Sequence, residues 1–195
     1  MAEISAKMVN DLRQRSGAGM MECKKALVET KGDMEEAIVL LKKRGIINAA
    51  KKSGREAAEG IIQSYIHSGG RIGVLLELNC ETDFVAKNET FQQLAKDICM
   101  HIAAMSPIYV SASDIPPEVE AKERFIAAEQ CAGKPANAME KIISGKLAKW
   151  HSEVCLLDQP FIKAQEISVG ACIAQSVATI GENIKIGRFV RYQIG

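Results

Sequence analysis

The sequence predicts an α+β fold: three short helices, followed by a core with a small antiparallel three-stranded sheet covered by helices. Three observations carry this expectation. The first third of the chain places apolar residues at helical spacing between glycine breaks. From Gly60 the apolar period becomes two, with a tight turn at Ser68, Gly69 and Gly70. Helical spacing then returns, and only residues 184–192 read as a further strand.

Each element has a local reason. Ser5 is a good N-cap, Met8 and Leu12 share a face behind it, and Gly17 closes the first helix. A second helix begins near Gly19, with Met20, Cys23 and Leu27 on one face. Asp33 caps a third, whose stripe is Met34, Ala37, Ile38 and Leu41, and Gly45 fits its C-terminal end. The basic residues from Lys42 to Arg55 read as a solvated helical linker. Residues 61–67 and 71–80 form a hairpin, and Ile72, Val74, Leu76, Leu78 and Cys80 alternate onto one face of its second strand. Asn88 caps a helix with the stripe Phe91, Leu94, Ala95, Ile98, Ile102 and Met105, stopped at Ser106 and Pro107. Another helix opens at residues 113–117 and closes at Gly133, and Pro135 suits the first turn of the next. That helix is lined by Met139, Ile142, Ile143, Leu147 and Trp150. Ser168 caps a last helix carrying Val169, Ile173, Val177 and Ile180, ended by Gly181. The expected division is a three-helix domain with its basic linker over residues 1–54 and a core domain over residues 55–195.

Composition narrows the function. The apolar fraction of 47% is enough for a packed core. Lysine and arginine number 25 against 24 acidic residues, a balance that argues against a nucleic-acid partner. No apolar run approaches the roughly 18 residues that a membrane span needs. The first residues lack the pattern of a secretory signal, so a cytoplasmic protein is expected. Cys23, Cys80, Cys99, Cys131, Cys155 and Cys172 are scattered, without metal-ligand spacing, and read as reduced thiols. His67, His101 and His151 lie in separate segments. No phosphate-binding loop, dinucleotide fingerprint or nucleophile elbow occurs, so neither bond chemistry nor a cofactor or metal is expected.

One segment stands out. Between an apolar strand and a capped helix lies Glu81-Thr82-Asp83-Phe84-Val85-Ala86-Lys87-Asn88. Short connections usually carry small and polar residues, yet Phe84 sits at the tip. By base rates such a ring folds back as a core plug. The alternative is an exposed aromatic anchor on a rigid elbow.

Ser16-Gly17-Ala18-Gly19-Met20-Met21-Glu22-Cys23-Lys24-Lys25-Ala26-Leu27 resembles the N-terminal signature of the elongation factor Ts family. Leu76-Glu77-Leu78-Asn79-Cys80-Glu81-Thr82-Asp83-Phe84-Val85-Ala86 resembles its second signature. Segments at His101, Gly133, Gln159 and Arg188 extend the resemblance over nearly the whole chain, in the short form of the family, without the long form's duplicated sheet unit and helical-hairpin insertion. The resemblance implies a ubiquitin-associated-like fold for the three helices. It implies a guanine nucleotide exchange factor, not an enzyme, that binds elongation factor Tu in its GDP-bound and nucleotide-free states. Thr82, Asp83, Phe84 and Val85 would enter beside the partner's magnesium and phosphate site and displace the metal. Leu12, Met20 and Met21 would be contacts of the N-terminal domain, with Met21, off the apolar stripe, the better placed. Short-form members also imply a homodimer through the core. Two rivals differ in class: a ubiquitin-like-binding module made of the first domain alone, and an RNA-binding protein that uses the basic link.

Overall fold

A computed structural model of the chain describes residues 4–131 and 135–195, so the expected helix end at Gly133 lies outside the described residues. The first three helices are α1 (Ala6–Ser16), α2 (Met20–Glu29) and α3 (Met34–Lys52). The Ser5 hydroxyl accepts from the Met8 amide at 3.2 Å, and Gly17 closes α1 in the left-handed region at φ 67°. The Asp33 carboxylate accepts from the Glu36 amide at 2.8 Å and starts α3. Val9, Leu12, Cys23, Ala26, Leu27, Ala37 and Leu41 form one buried cluster between the three helices.

Gly45 does not end α3. The helix runs on to Lys52, absorbing the basic linker, and a Cβ at Gly45 would touch the Ala178 side chain at 3.4 Å. Packing against a helix more than 130 positions later, rather than chain reversal, accounts for the small residue. That later helix is α8 below.

The hairpin forms as expected from β1 (Glu59–Ile66) and β2 (Ile72–Cys80). Val74, Leu76, Leu78 and Cys80 are buried on one face of β2. The terminal strand β5 (Lys185–Gln193) joins β2 on its other side, which gives a three-stranded antiparallel sheet in the order β1-β2-β5. The elbow is not a loop but a one-turn helix, α4 (Asp83–Ala86). It leads through Asn88, whose side chain accepts from Thr90 at 2.8 Å, into α5 (Glu89–Met105). The Cys99 thiol donates to the Gln63 carbonyl of β1, and Arg191 of β5 donates through two nitrogens to the Ala103 carbonyl. These bonds tie α5 to the sheet.

Helices α6 (Pro117–Glu129) and α7 (Ala136–Val154) pack on each other around Ala127, Cys131, Ile143 and Leu147. This pair has its own small core, a feature the short-form resemblance does not imply. Two short strands absent from the sequence expectation follow, β3 (Pro160–Phe161) and β4 (Ala164–Ser168), paired antiparallel. Helix α8 (Val169–Ile180) then runs to Gly181. Two compact units share the chain: one takes residues up to Ile61 with Leu78–Leu94 and Ala171–Lys185, the other Ile62–Glu77, Ala95–Gly170 and Ile186–Gly195. No helix among the described residues is long and apolar enough to cross a membrane.

Two positions carry sharp tests. Gly60 sits in β1 at φ 152°, and an added Cβ would lie 2.2 Å from the Leu78 carbonyl oxygen. Gly60→Ala is expected to lower unfolding free energy by at least about 2 kcal/mol in denaturant melts; an unmoved midpoint contradicts the close strand approach. His101 is fully buried. Its Nδ1 accepts from the Ile162 amide at 3.2 Å, so Nε2 carries the proton and donates to the Gln159 side chain at 2.9 Å. Burial pushes this imidazole below its ordinary 6.5, with the Gln159 bond pulling the other way. The unfolded chain therefore binds this proton more readily than the folded one. Stability is full above pH about 6.5 and falls as the pH drops from there towards the lower folded-state value. His101→Gln is expected to flatten that slope in melts from pH 7 to pH 5, even if it lowers stability at pH 7.

Candidate partner-binding elbow

The site begins where β2 ends. Leu78 and Cys80 are buried, so the strand is anchored up to the residue before Glu81. The chain then turns, and Thr82 caps α4, its hydroxyl accepting from the Val85 amide at 3.4 Å. Ala86 is buried and Val85 half-buried, so the turn is rooted on one side. The other side carries Asp83 and Phe84, both exposed.

Phe84 is 81% exposed, so it is not a plug beneath the sheet. Asp83 pairs with Lys87 one turn on, at 2.8 Å, and both groups lie open to solvent. The bond from Lys87 holds the Asp83 carboxyl below its usual range, and Asp83 in turn raises the Lys87 ammonium. A surface pair of this kind is screened by solvent and contributes little to stability.

The elbow is braced from a distant part of the same unit. The Glu182 carboxylate accepts from the Thr82 hydroxyl at 2.7 Å and from the amides of Thr82 at 3.0 Å and Glu81 at 3.1 Å. Glu81 answers by accepting from the Asn183 amide at 2.6 Å, and Arg55 lies 3.6 Å from its other oxygen. The Asn183 side chain donates to the carbonyls of Arg55 at 2.7 Å and Ser53 at 3.4 Å, and Lys52 donates to the Gly181 carbonyl at 2.6 Å. Three segments are thereby stitched together: the end of α3, the root of the elbow and the turn after α8. Burial and the negative charge of Glu182 push the Cys80 thiol upward, against the bond it donates to the Thr82 carbonyl, so this cysteine stays protonated and unreactive. No sequence motif marks Glu182 or Asn183.

The other expected contacts separate. Met21 is 64% exposed and Met20 44%, on α2 beside Lys24 and Val28. Leu12 is fully buried in the three-helix cluster. It faces the same interior as Cys23 and Leu27, so it holds the helices together and does not reach a partner surface. No group of three or more His, Cys, Asp or Glu side chains among the described residues could hold a metal ion.

With this geometry in view, the kinship of the chain becomes decisive. The family model for elongation factor TS matches residues 2–195. Elongation factor Ts of Carboxydothermus hydrogenoformans is 55% identical over 98% of this chain and 89% of its own length. That of Fervidobacterium nodosum is 55% identical over 99% of both chains, and that of Koribacter versatilis 55% over 98% and 89%. The chain belongs to the elongation factor Ts family, a family of translation elongation factors.

Two phenylalanines, Phe84 on the elbow and Phe91 just beyond it in α5, give a direct test of its exposure. Phe84→Ala is expected to leave stability within about 0.5 kcal/mol of the parent. Phe91→Ala, which empties a fully buried site in α5, is expected to cost about 3–5 kcal/mol. Thermal or denaturant melts read both, and an equal loss at the two positions contradicts the exposed placement.

Proposed function

We propose that this protein is a guanine nucleotide exchange factor for elongation factor Tu, working in the cytoplasm without bond chemistry of its own. In this reading Thr82, Asp83, Phe84 and Val85 enter beside the partner's magnesium and phosphate site. The three-helix domain, residues 1–54, docks on the partner through Met20 and Met21, and residues 55–195 carry the elbow. The observation that supports it most is the Phe84 ring standing 81% exposed on a braced turn, in a member of this family.

The chemistry follows from coupling. Magnesium bridges the nucleotide phosphates to the protein that holds them. A wedge that moves its ligands weakens GDP without touching the base. If the factor lowers GDP affinity, GDP lowers the factor's affinity in the same ratio, so the factor prefers the nucleotide-free partner and incoming nucleotide expels it. A thousandfold weakening requires about 4 kcal/mol of differential binding. One buried aromatic supplies about 2 kcal/mol, so the ring needs help from the second contact surface on α2.

The outer face of the sheet supports a homodimer. Ile62, Ile66 and Leu75 are exposed there, with Val190 on β5, and the Ile66 side chain lies over Gly73. A second copy of the chain would cover this apolar face.

Release of labelled GDP from elongation factor Tu tests the main proposal. The parent is expected to accelerate it, and Phe84→Ala to cut the acceleration tenfold or more, the equivalent of about 1.4 kcal/mol or above. Undiminished release by a folded Phe84→Ala protein overturns the wedge. Light scattering after gel filtration tests the dimer. The parent is expected at twice the chain mass and Leu75→Glu at the mass of one chain; a monomeric parent overturns the pairing.

A further inference from the structure

We infer that Glu182 is a positioning residue for exchange: it holds the elbow in the conformation in which Phe84 and Asp83 can enter a partner. This rests on the reading of the elbow as the inserted element. Glu182 lies 98 positions after Phe84 in the chain; its carboxylate bonds to Glu81 and Thr82, and it acts on the ring through Thr82.

The geometry makes the case. A single turn of helix is too short to be stable alone, because its nucleus fixes several residues for each bond gained. α4 has four residues and one buried side chain, Ala86. Its exposed outer side gains nothing from core packing. What it has instead is its N-terminal cap, and the Glu182 carboxylate holds the residues that lead into the helix. One oxygen takes the amides of Glu81 and Thr82, two donors left open where β2 ends and α4 begins. The other takes the Thr82 hydroxyl. That third bond orients the capping residue itself: with its proton committed to Glu182, the Thr82 oxygen turns a lone pair to the Val85 amide. Hydrogen bonds to an ionised acceptor are the strong ones, so three on one carboxylate outweigh the neutral cap they support.

The carboxylate is itself held. Gly181, at φ 94°, turns the chain at the end of α8, and its carbonyl accepts from Lys52. Asn183 is buried and tied to Ser53, Arg55 and Glu81. Glu182 therefore projects from a turn clamped on both sides, and the turn passes its rigidity to the elbow. Removing the carboxylate leaves the fold's apolar core untouched, because Glu182 contributes nothing to it. It leaves α4 free to fray, so fewer molecules present the ring in a competent pose. Initial docking through α2 is unaffected; the step after docking slows.

The test uses the full chain with Glu182→Ala, Glu182→Gln and Phe84→Ala. Two quantities are read for each: the GDP-release rate from elongation factor Tu at saturating factor, with the concentration that gives half of it, and hydrogen exchange at the amides of Ala86, Lys87 and Asn88. These amides bond to the carbonyls of Thr82, Asp83 and Val85 and none bonds to Glu182, so they report the order of the turn and not the lost bonds. Glu182→Ala is expected to lower the saturating rate about tenfold, or about 1.4 kcal/mol, to leave the half-saturating concentration within about threefold, and to speed exchange at the three amides. Glu182→Gln keeps an acceptor of the same shape and is expected to recover part of the rate. In the double variant with Phe84→Ala, the loss of Glu182 is expected to add little further slowing, since it acts through the same ring. If Phe84→Ala slows release while Glu182→Ala changes neither rate nor amide exchange, the positioning role is overturned. If Glu182→Ala loosens the amides but neither variant slows release, the elbow is not the inserted element and the proposed function falls with it. Should Glu182→Ala unfold the chain, the Gln variant carries the same comparison, and a parental rate and parental amide exchange in it, with Phe84→Ala slow, overturn the role.

Discussion

Much of one compact unit hangs on the cross-link between Glu81-Thr82 and Glu182-Asn183. Each side supplies a carboxylate to the other's backbone: Glu182 accepts from Glu81 and Thr82, and Glu81 accepts from Asn183. The exchange is reciprocal, so each turn supports the other. It joins residues about a hundred positions apart, and through Asn183 and Lys52 it draws in the end of α3 as well. Closing so long a loop is entropically unfavourable, but the cost grows only slowly with length. Bonds to charged acceptors, at about 1.5–3 kcal/mol each, offset it.

Under the proposed function, this arrangement resolves a conflict between exposure and order. An aromatic ring that must enter another protein cannot be packed into its own, yet an unpacked ring on a loop loses side-chain and backbone freedom when it binds. Here the backbone freedom is already spent during folding. Thr82 is committed to Glu182 on one side and Val85 on the other, Ala86 is buried, and Lys87 spans the turn to Asp83. The polar bonds do the stiffening that apolar contacts do elsewhere, and they leave the ring free.

The local rules of the chain were legible and the distant ones were not. Ser5, Asp33 and Asn88 act as caps because a short polar side chain reaches its own helix's amides without help from the rest of the fold. The β2 alternation survives because one face of that strand is buried from Val74 to Cys80. Gly45 misled because glycine has two uses, ending helices and letting them approach, and only Ala178 decides between them. Strands β3 and β4 span two and five residues, too few for a period to declare itself, and Pro160 opens the first. The resemblance implies Leu12 as a contact, whereas its pairing with Met8 puts it on the inward face, where the structure has it fully buried. Phe84 is conspicuous in the sequence because a large ring in a short connection is odd. Glu182 is not, because a glutamate after a glycine is ordinary, and its meaning lies entirely in partners that are remote in sequence.

Exposure by itself would not have distinguished the elbow. Phe125 on α6 is 65% exposed and Tyr192 on β5 is 70%, close to the value for Phe84. Isolated surface aromatics are common and need no functional account. What separates Phe84 is the polar investment in its support. Phe125 sits on a thirteen-residue helix and Tyr192 on a nine-residue strand, elements that regular backbone bonds already hold in place. Phe84 sits on four residues that have no such reserve, and one carboxylate accepts three bonds from the two residues that lead into them. A fold gains little by stiffening a solvent-facing turn of this length for its own stability. The stiffness makes physical sense under the proposed function, in which the benefit is realised at a surface that arrives from outside.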